Sequence, residues 1–173
     1  MNLLVVNVAD LLRLPAQRKK VSVAVPIGAL QLTDSRLHGD DSVQVEMWLD
    51  SMTDGITVRG TVTTPWHSEC RRCLAPVESD MTSEVAELFH QHPANEDIWP
   101  IRHDQADLEP LVIEAVMLEL PLAPLCRADC AGLCPTCGAD RNDVDCGHHE
   151  KPVDLRWGAL EGLAGKLART DEN

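Results

Sequence analysis

A chain of 173 residues with 44% hydrophobic content is long enough to bury one core, and with one Phe, four Trp and no Tyr that core must be aliphatic. The formal net charge of −13 repels a polyanion at long range. Both features argue against broad nucleic-acid binding, the first because base-stacking platforms need aromatic rings.

The N-terminal "MNLLVVNVADLL" starts apolar, but no basic region precedes it and Asn7 and Asp10 interrupt it, so it does not read as a secretory signal. No apolar run is long enough to span a bilayer. A cytoplasmic chain is expected, where thiols stay reduced. The basic residues Arg13, Arg18, Lys19 and Lys20 read as a solvated face. Next, "VSVAVPI" sets Val21, Val23, Val25 and Ile27 on one side of an extended segment, and "SVQVEMWL" does the same with Val43, Val45, Met47 and Leu49. "ITVRGTVTT" alternates again through Ile56, Val58 and Val62, and the Asp54-Gly55 pair before it signals a hairpin. An antiparallel sheet or partly open barrel follows, its last strand running into "WHSECRRCLAPVE" so that Cys70 and Cys73 occupy a tight turn before a strand across "SEVAELF".

From Glu78 to Glu119 eleven Asp and Glu face the single Arg102, a net of −10. Within that window His90, His92, Pro93 and "RHDQAD" read as acidic loop. "DLEPLVIEAVMLELPL" then gives a helix with Asp107 as N-cap, Leu108, Leu111, Val112, Ala115 and Leu118 or Glu119 at helical spacing, and Pro121 and Pro124 as terminators. The tail "VDLRWGALEGLAGKLART" repeats that pattern through Leu155, Ala159, Leu160, Leu163 and Leu167. The expected class is α+β with three parts: a β-rich core over 1–120, a cysteine-rich zinc-binding segment over 121–150, and an amphipathic helix over 151–173 that packs on the core.

Between the helices lies "PLCRADCAGLCPTCGADRNDVDCGHHE", with five of the seven cysteines. Disulfides, a redox couple and metal are the three ways to use such thiols. Disulfides rarely persist in a reducing compartment. Arg71 and Arg72 between Cys70 and Cys73 would favour a reactive thiolate, but a redox pair of this spacing opens a helix after a strand, whereas here Pro76 and another strand follow. In Cys134-Pro135-Thr136-Cys137-Gly138 two thiolates flank a tight turn, which is the bite of a zinc knuckle. Cys70, Cys73, Cys126, Cys130, Cys134, Cys137, Cys146 and His148 suffice for two closed tetrahedral sites. The preferred partition sets Cys70/Cys73 with Cys126/Cys130 and Cys134/Cys137 with Cys146/His148. Its rival is a single site drawn from Cys126, Cys130, Cys134, Cys137 and Cys146, and His149 is a possible substitute for His148. One or two Zn²⁺ per chain are expected. Closed thiolate sites leave no position for a reactive water, and H-E-x-x-H, G-x-S-x-G and Walker A patterns are absent, so no enzymatic activity is expected.

"ECRRCLAPV", an acidic stretch, "LPLAPLCRADCAGLCPTCGADRND" and "CGH" together resemble the YceD family of bacteria and plastids, over most of the chain. Where many relatives close with C-x-C, this chain has Cys146-Gly147-His148. The resemblance implies a factor in ribosome biogenesis, associated with accumulation of large-subunit ribosomal RNA, and not an enzyme. An acidic protein could serve that end by docking a basic ribosomal or assembly protein through Glu84, Glu87, Glu96 and Asp97, with Arg71, Arg72, Arg127 and Arg141 as a small phosphate-facing site. The alternatives are a zinc-stabilised adaptor that never touches RNA and a C-x-x-C thiol redox protein. Neither a membrane nor a small-molecule substrate is expected.

Overall fold

The computed structural model describes residues 3–148; the helix expected over 151–173 and His149 lie outside the described residues. In chain order the elements are β1 (Val5–Asn7), α1 (Ala9–Arg13), β2 (Arg18–Pro26), a 3₁₀ turn (Ile27–Leu30), β3 (Ser42–Met52), β4 (Gly55–Glu69), β5 (Pro76–His90), β6 (Trp99–Arg102), β7 (Gln105–Asp107) and α2 (Glu109–Glu119). The strands form one curled sheet in the order β1-β7-β6-β5-β4-β3-β2.

The alternating runs build the sheet as their periodicity dictates, because successive side chains of a strand point to opposite faces. Val43, Val45, Met47 and Leu49 are buried on β3, as are Ile56, Val58 and Val62 on β4 and Met81, Val85 and Phe89 on β5. α2 covers this face against β4 and β5, and α1 against β3 and β4. Asp54 bridges the β3–β4 hairpin at φ 60. Gly55 matters for a different reason than turn geometry: a Cβ there would sit 2.4 Å from the Phe89 carbonyl oxygen. Gly60 is tighter still, with its Cβ position 2.0 Å from the Glu46 carbonyl oxygen, so β3 and β4 approach closely only because this residue has no side chain.

The sheet is mixed rather than purely antiparallel. β5 and β6 run parallel through Phe89↔Trp99 and His90↔Pro100, and Phe89 and Trp99 stack with ring centroids 6.0 Å apart. The eight residues 91–98 loop back so that β6 starts beside Phe89, at the C-terminal end of β5, and runs in the same direction, which a tight hairpin cannot do. "RHDQAD", expected as loop, is instead the β6–β7 hairpin, turned by His103 (φ 52) and Asp104 (φ 57). Two consecutive left-handed residues are the turn that suits strand twist, but His-Asp is not the Asn-Gly signal that announces it. β1, too short for periodicity to reveal, pairs with β7.

α2 buries Leu111, Val112, Ala115 and Val116, and Leu120 continues the stripe. Leu118 is 78% exposed, so the expected position belongs to Leu120. Asp107 stays in β7 but its carboxylate still accepts the Glu109 amide at 3.0 Å, performing the capping role from one residue further back. The basic run near the N-terminus is consumed locally. Arg18 forks onto Asp50, Lys19 donates to the Asn7 carbonyl, and Arg18 and Lys20 lie over the Trp48 ring.

The chain divides into two compact units, Met1–Cys130 and Ala131–Asn173. The boundary expected between residues 120 and 121 therefore moves to the far side of Cys130, because Cys126 and Cys130 join Cys70 and Cys73 in the first unit. In the second unit the described residues are organised by polar contacts: Asp140 accepts from the amide and the side chain of Asn142, whose carbonyl accepts the Ala131 amide. Leu133 bridges Asp140, and Val144 is 55% exposed, so little apolar surface is buried there.

Candidate metal centre

Cys70 and Cys73 lie in the turn that joins β4 to β5. The Cys70 amide donates to the Ala75 carbonyl at 2.7 Å and the Leu74 amide to the Cys70 carbonyl at 2.9 Å. In the second unit the Cys134 amide donates to the Ala139 carbonyl at 2.8 Å and the Gly138 amide to the Cys134 carbonyl at 2.9 Å. One six-residue turn is thus built twice, each time with a left-handed residue after the second thiol: Leu74 at φ 60 and Gly138 at φ 75. That conformation turns amides toward the first sulfur of each pair.

The first cluster is completed from the segment after α2. Arg36 forks onto Asp34 and donates to the Pro121 carbonyl at 2.7 Å, and the Arg71 amide donates to the Pro124 carbonyl at 2.9 Å, so this segment is tied down on both sides. Cys70 Sγ lies 3.8 Å from Cys130 Sγ, and Cys73 Sγ lies 3.6 Å from Cys126 Sγ. A tetrahedron of sulfurs around Zn²⁺, with each bond about 2.3 Å, has edges of about 3.8 Å. A disulfide would require about 2 Å. The spacing therefore matches a shared ion.

Cys134, Cys137, Cys146 and His148 form the second cluster, and in both clusters one ligand atom per residue lies within 4.8 Å of every other. Each set has the softness and number that a structural Zn²⁺ demands. The geometry groups these residues in two fours and draws no single group from the five C-terminal cysteines.

The thiols are not equivalent. Burial raises the Cys70 thiol, but the amides of Cys126, Cys73 and Arg72 outweigh it and hold the pKa at about 6. The amides of Cys137 and Thr136 hold Cys134 at about 6 against its burial. Burial and the neighbouring thiols push Cys126 up to about 12. An ion held at either set would take its cysteines as thiolates, so binding would release the remaining thiol protons.

Of the four arginines, Arg72 donates to the Cys130 carbonyl at 2.8 Å, closing the first cluster, and Arg127 lies 3.4 Å from Asp129. Arg71 is exposed on the turn. Arg141 belongs to the second unit. The acidic set divides too: strand alternation puts Glu84 and Glu87 on opposite faces of β5. Glu87, Glu96 and Asp97 instead join Glu114 around Trp99 in a recess of about 310 Å³. A third group, His38, Asp41 and His67, has no spacing that would mark it in the sequence.

A curled β-sheet with two four-ligand, thiol-rich clusters defines a class of small protein whose local structure an ion can complete. The family model described as "Large ribosomal RNA subunit accumulation protein YceD" matches residues 58–164, and the chain belongs to this family. It is similar to an uncharacterized protein of Mycobacterium tuberculosis, 34% identical over 135 residues that cover 74% of this chain and 65% of the relative. A Mycobacterium leprae protein, also uncharacterized, is 36% identical over 75% of this chain and 63% of its own length. The chain thus spans just under two thirds of these mycobacterial relatives. The uncharacterized protein YlbN of Bacillus subtilis is 25% identical over 96% of this chain and 98% of its own length. No solved structure matches the chain. Among the described residues, no helix is long and apolar enough to cross a membrane.

Proposed function

We propose that the protein is a non-enzymatic, zinc-stabilised factor that supports accumulation of large-subunit ribosomal RNA by docking a basic ribosomal or assembly protein. The link to ribosomal RNA rests on the family's description. The docking rests on one observation, the recess where Glu87, Glu96, Asp97 and Glu114 surround half-buried Trp99. Carboxylates around an aromatic face suit a lysine or arginine side chain, which gains from both the charges and the ring. Zn²⁺ at Cys70/Cys73/Cys126/Cys130 and at Cys134/Cys137/Cys146/His148 has a structural part in this reading: four protein ligands close each site to water.

A protein adaptor without RNA contact is the second reading, favoured by the arginines. Arg72 is committed to the Cys130 carbonyl and Arg127 lies beside Asp129, which leaves Arg71 and Arg141 of the four to face phosphate. Co-purification at low and high salt, with and without RNase, separates the two. Docking predicts a basic protein that survives RNase, leaves at high salt, and is lost when Glu87, Glu96, Asp97 and Glu114 become Gln or Asn. An unchanged bound set in that quadruple variant would end the docking reading. Loss of all partners on RNase treatment, prevented by no change in the recess, would instead point to direct RNA contact.

A further inference from the structure

We propose that His38, Asp41 and His67 form a third cation site, for a borderline divalent metal such as Zn²⁺, outside the thiol clusters and with Glu78 as its outer support. His67 comes from β4, Glu78 is its directly paired residue on β5, and His38 and Asp41 come from the loop that leads into β3. One ligand atom each from His38, Asp41 and His67 lies within 4.8 Å of the others.

The loop presents its two ligands from a fixed backbone. The His67 amide donates to the Arg36 carbonyl at 2.8 Å, the Asp41 amide to the His38 carbonyl at 3.1 Å, and the Ile27 amide to the Asp41 carbonyl at 2.8 Å. Within this frame His67 Nε2 lies 2.9 Å from Asp41 Oδ2, and Nδ1 lies 3.6 Å from Glu78 Oε1. A neutral imidazole has one proton and cannot donate to both carboxylates. The hydrogen bond to Asp41 accordingly raises the His67 pKa above its ordinary value. A cation at Nε2 resolves the conflict differently: it takes Asp41 and His67 Nε2 as ligands and leaves Nδ1–H to Glu78. That is how metal-binding histidines are commonly oriented, with the second nitrogen held by a carboxylate.

The third ligand has to move. The His38 and His67 rings are stacked, with centroids 4.0 Å apart and planes 7° apart, so their nitrogen lone pairs run parallel and cannot meet at one ion. His38 is exposed, so its ring can turn out of the stack while the loop backbone stays in place. Two imidazoles and a carboxylate select Zn²⁺, Ni²⁺, Co²⁺ or Cu²⁺ over Mg²⁺ or Ca²⁺. The site differs from the thiol clusters in lacking sulfur, and it binds more weakly because solvent reaches it.

The experiment is a Zn²⁺ titration of the full chain purified without chelator, after the thiol clusters are filled, read by bound metal per chain and by the histidine ring signals in NMR. Wild type takes up one further equivalent, with the His38 and His67 ring signals shifting together as the stack opens. His38→Ala, on an exposed loop side chain, weakens that step at least tenfold with the sheet signals unchanged, His67→Gln abolishes it, and Glu78→Gln weakens it less than either. Absence of a further equivalent, or a further equivalent equally tight in His38→Ala, overturns the proposal. Neither outcome bears on the thiol clusters, whose content is measured separately.

Discussion

At the scale of single residues, the sheet's inner face contains a misfit among the described residues. Thr64 is fully buried between Val62 and Trp66 on the inward side of β4, and its hydroxyl has no hydrogen-bond partner. An unpaired buried hydroxyl costs about 1–3 kcal/mol, so Thr64→Val, which keeps the shape, is expected to raise stability by about 1 kcal/mol in urea unfolding. Gly60→Ala works the other way. A Cβ 2.0 Å from the Glu46 oxygen forces β3 and β4 apart, and a loss of about 3 kcal/mol in the same assay is expected. Asp34 adds a pH dependence: side-chain hydrogen bonds from Arg36 lower its pKa from 3.8 to about 2. A depressed acid stabilises the fold above its unfolded pKa and loses that contribution as pH falls. Wild type should therefore lose stability between about pH 4 and pH 2 that Asp34→Asn, about 1 kcal/mol weaker at neutral pH, no longer has to lose; acid titration by circular dichroism reads the difference.

At the scale of elements, the long strands were legible because β3 and β4 each bury a strict alternation, and the Cys70–Cys73 turn was legible because it falls between two such runs. β1, β6 and β7 were not legible. Strands of three or four residues carry too few alternations to register, and their existence depends on pairing partners remote in sequence. The preferred ligand partition could be reached from chain order, since Cys146/His148 follows Cys134/Cys137 closely and leaves Cys70/Cys73 and Cys126/Cys130 to each other, whereas His38, Asp41 and His67 meet only through strand register and one loop. The doubled turn gives a prediction at this scale. Gly138 occupies its left-handed position without strain, but Leu74 holds the equivalent one with a side chain that is 57% exposed. Leu74→Gly should be neutral or stabilising by up to about 1 kcal/mol, with metal content unchanged, and thermal unfolding with metal analysis checks both.

At the scale of the whole molecule, the proposed ions would matter to the two units to different degrees. The first has a contiguous aliphatic core, so chelation should loosen its cluster and leave the sheet standing. In the second, Leu133 is only partly buried and Val144 is exposed, so burial offsets little of the chain entropy and an ion at the second cluster would supply the rest. Chelation is expected to abolish amide protection over residues 131–148 while β3, β4 and β5 remain protected in hydrogen exchange. Cys134→Ser should reproduce that loss more fully than His148→Ala, since three thiols survive in the latter. A protected 131–148 segment in metal-free, reduced protein would show that the polar contacts around Asp140 and Asn142 are sufficient alone.

The ligand spacing would also give an ion a different part in each cluster. The contacts of the first cluster join residues 53 and 60 apart, enclosing β5, β6, β7 and α2, so an ion there is a long-range cross-link of the kind that removes about 4 kcal/mol of freedom from the unfolded chain. The second set lies within the contiguous stretch Cys134–His148 and closes only short loops. During synthesis Cys70, Cys73, Cys126 and Cys130 all emerge before Cys134–His148, so an ion in the first cluster would require only that the intervening strands and α2 have folded back onto the Cys70–Cys73 turn, and its capture would report that event.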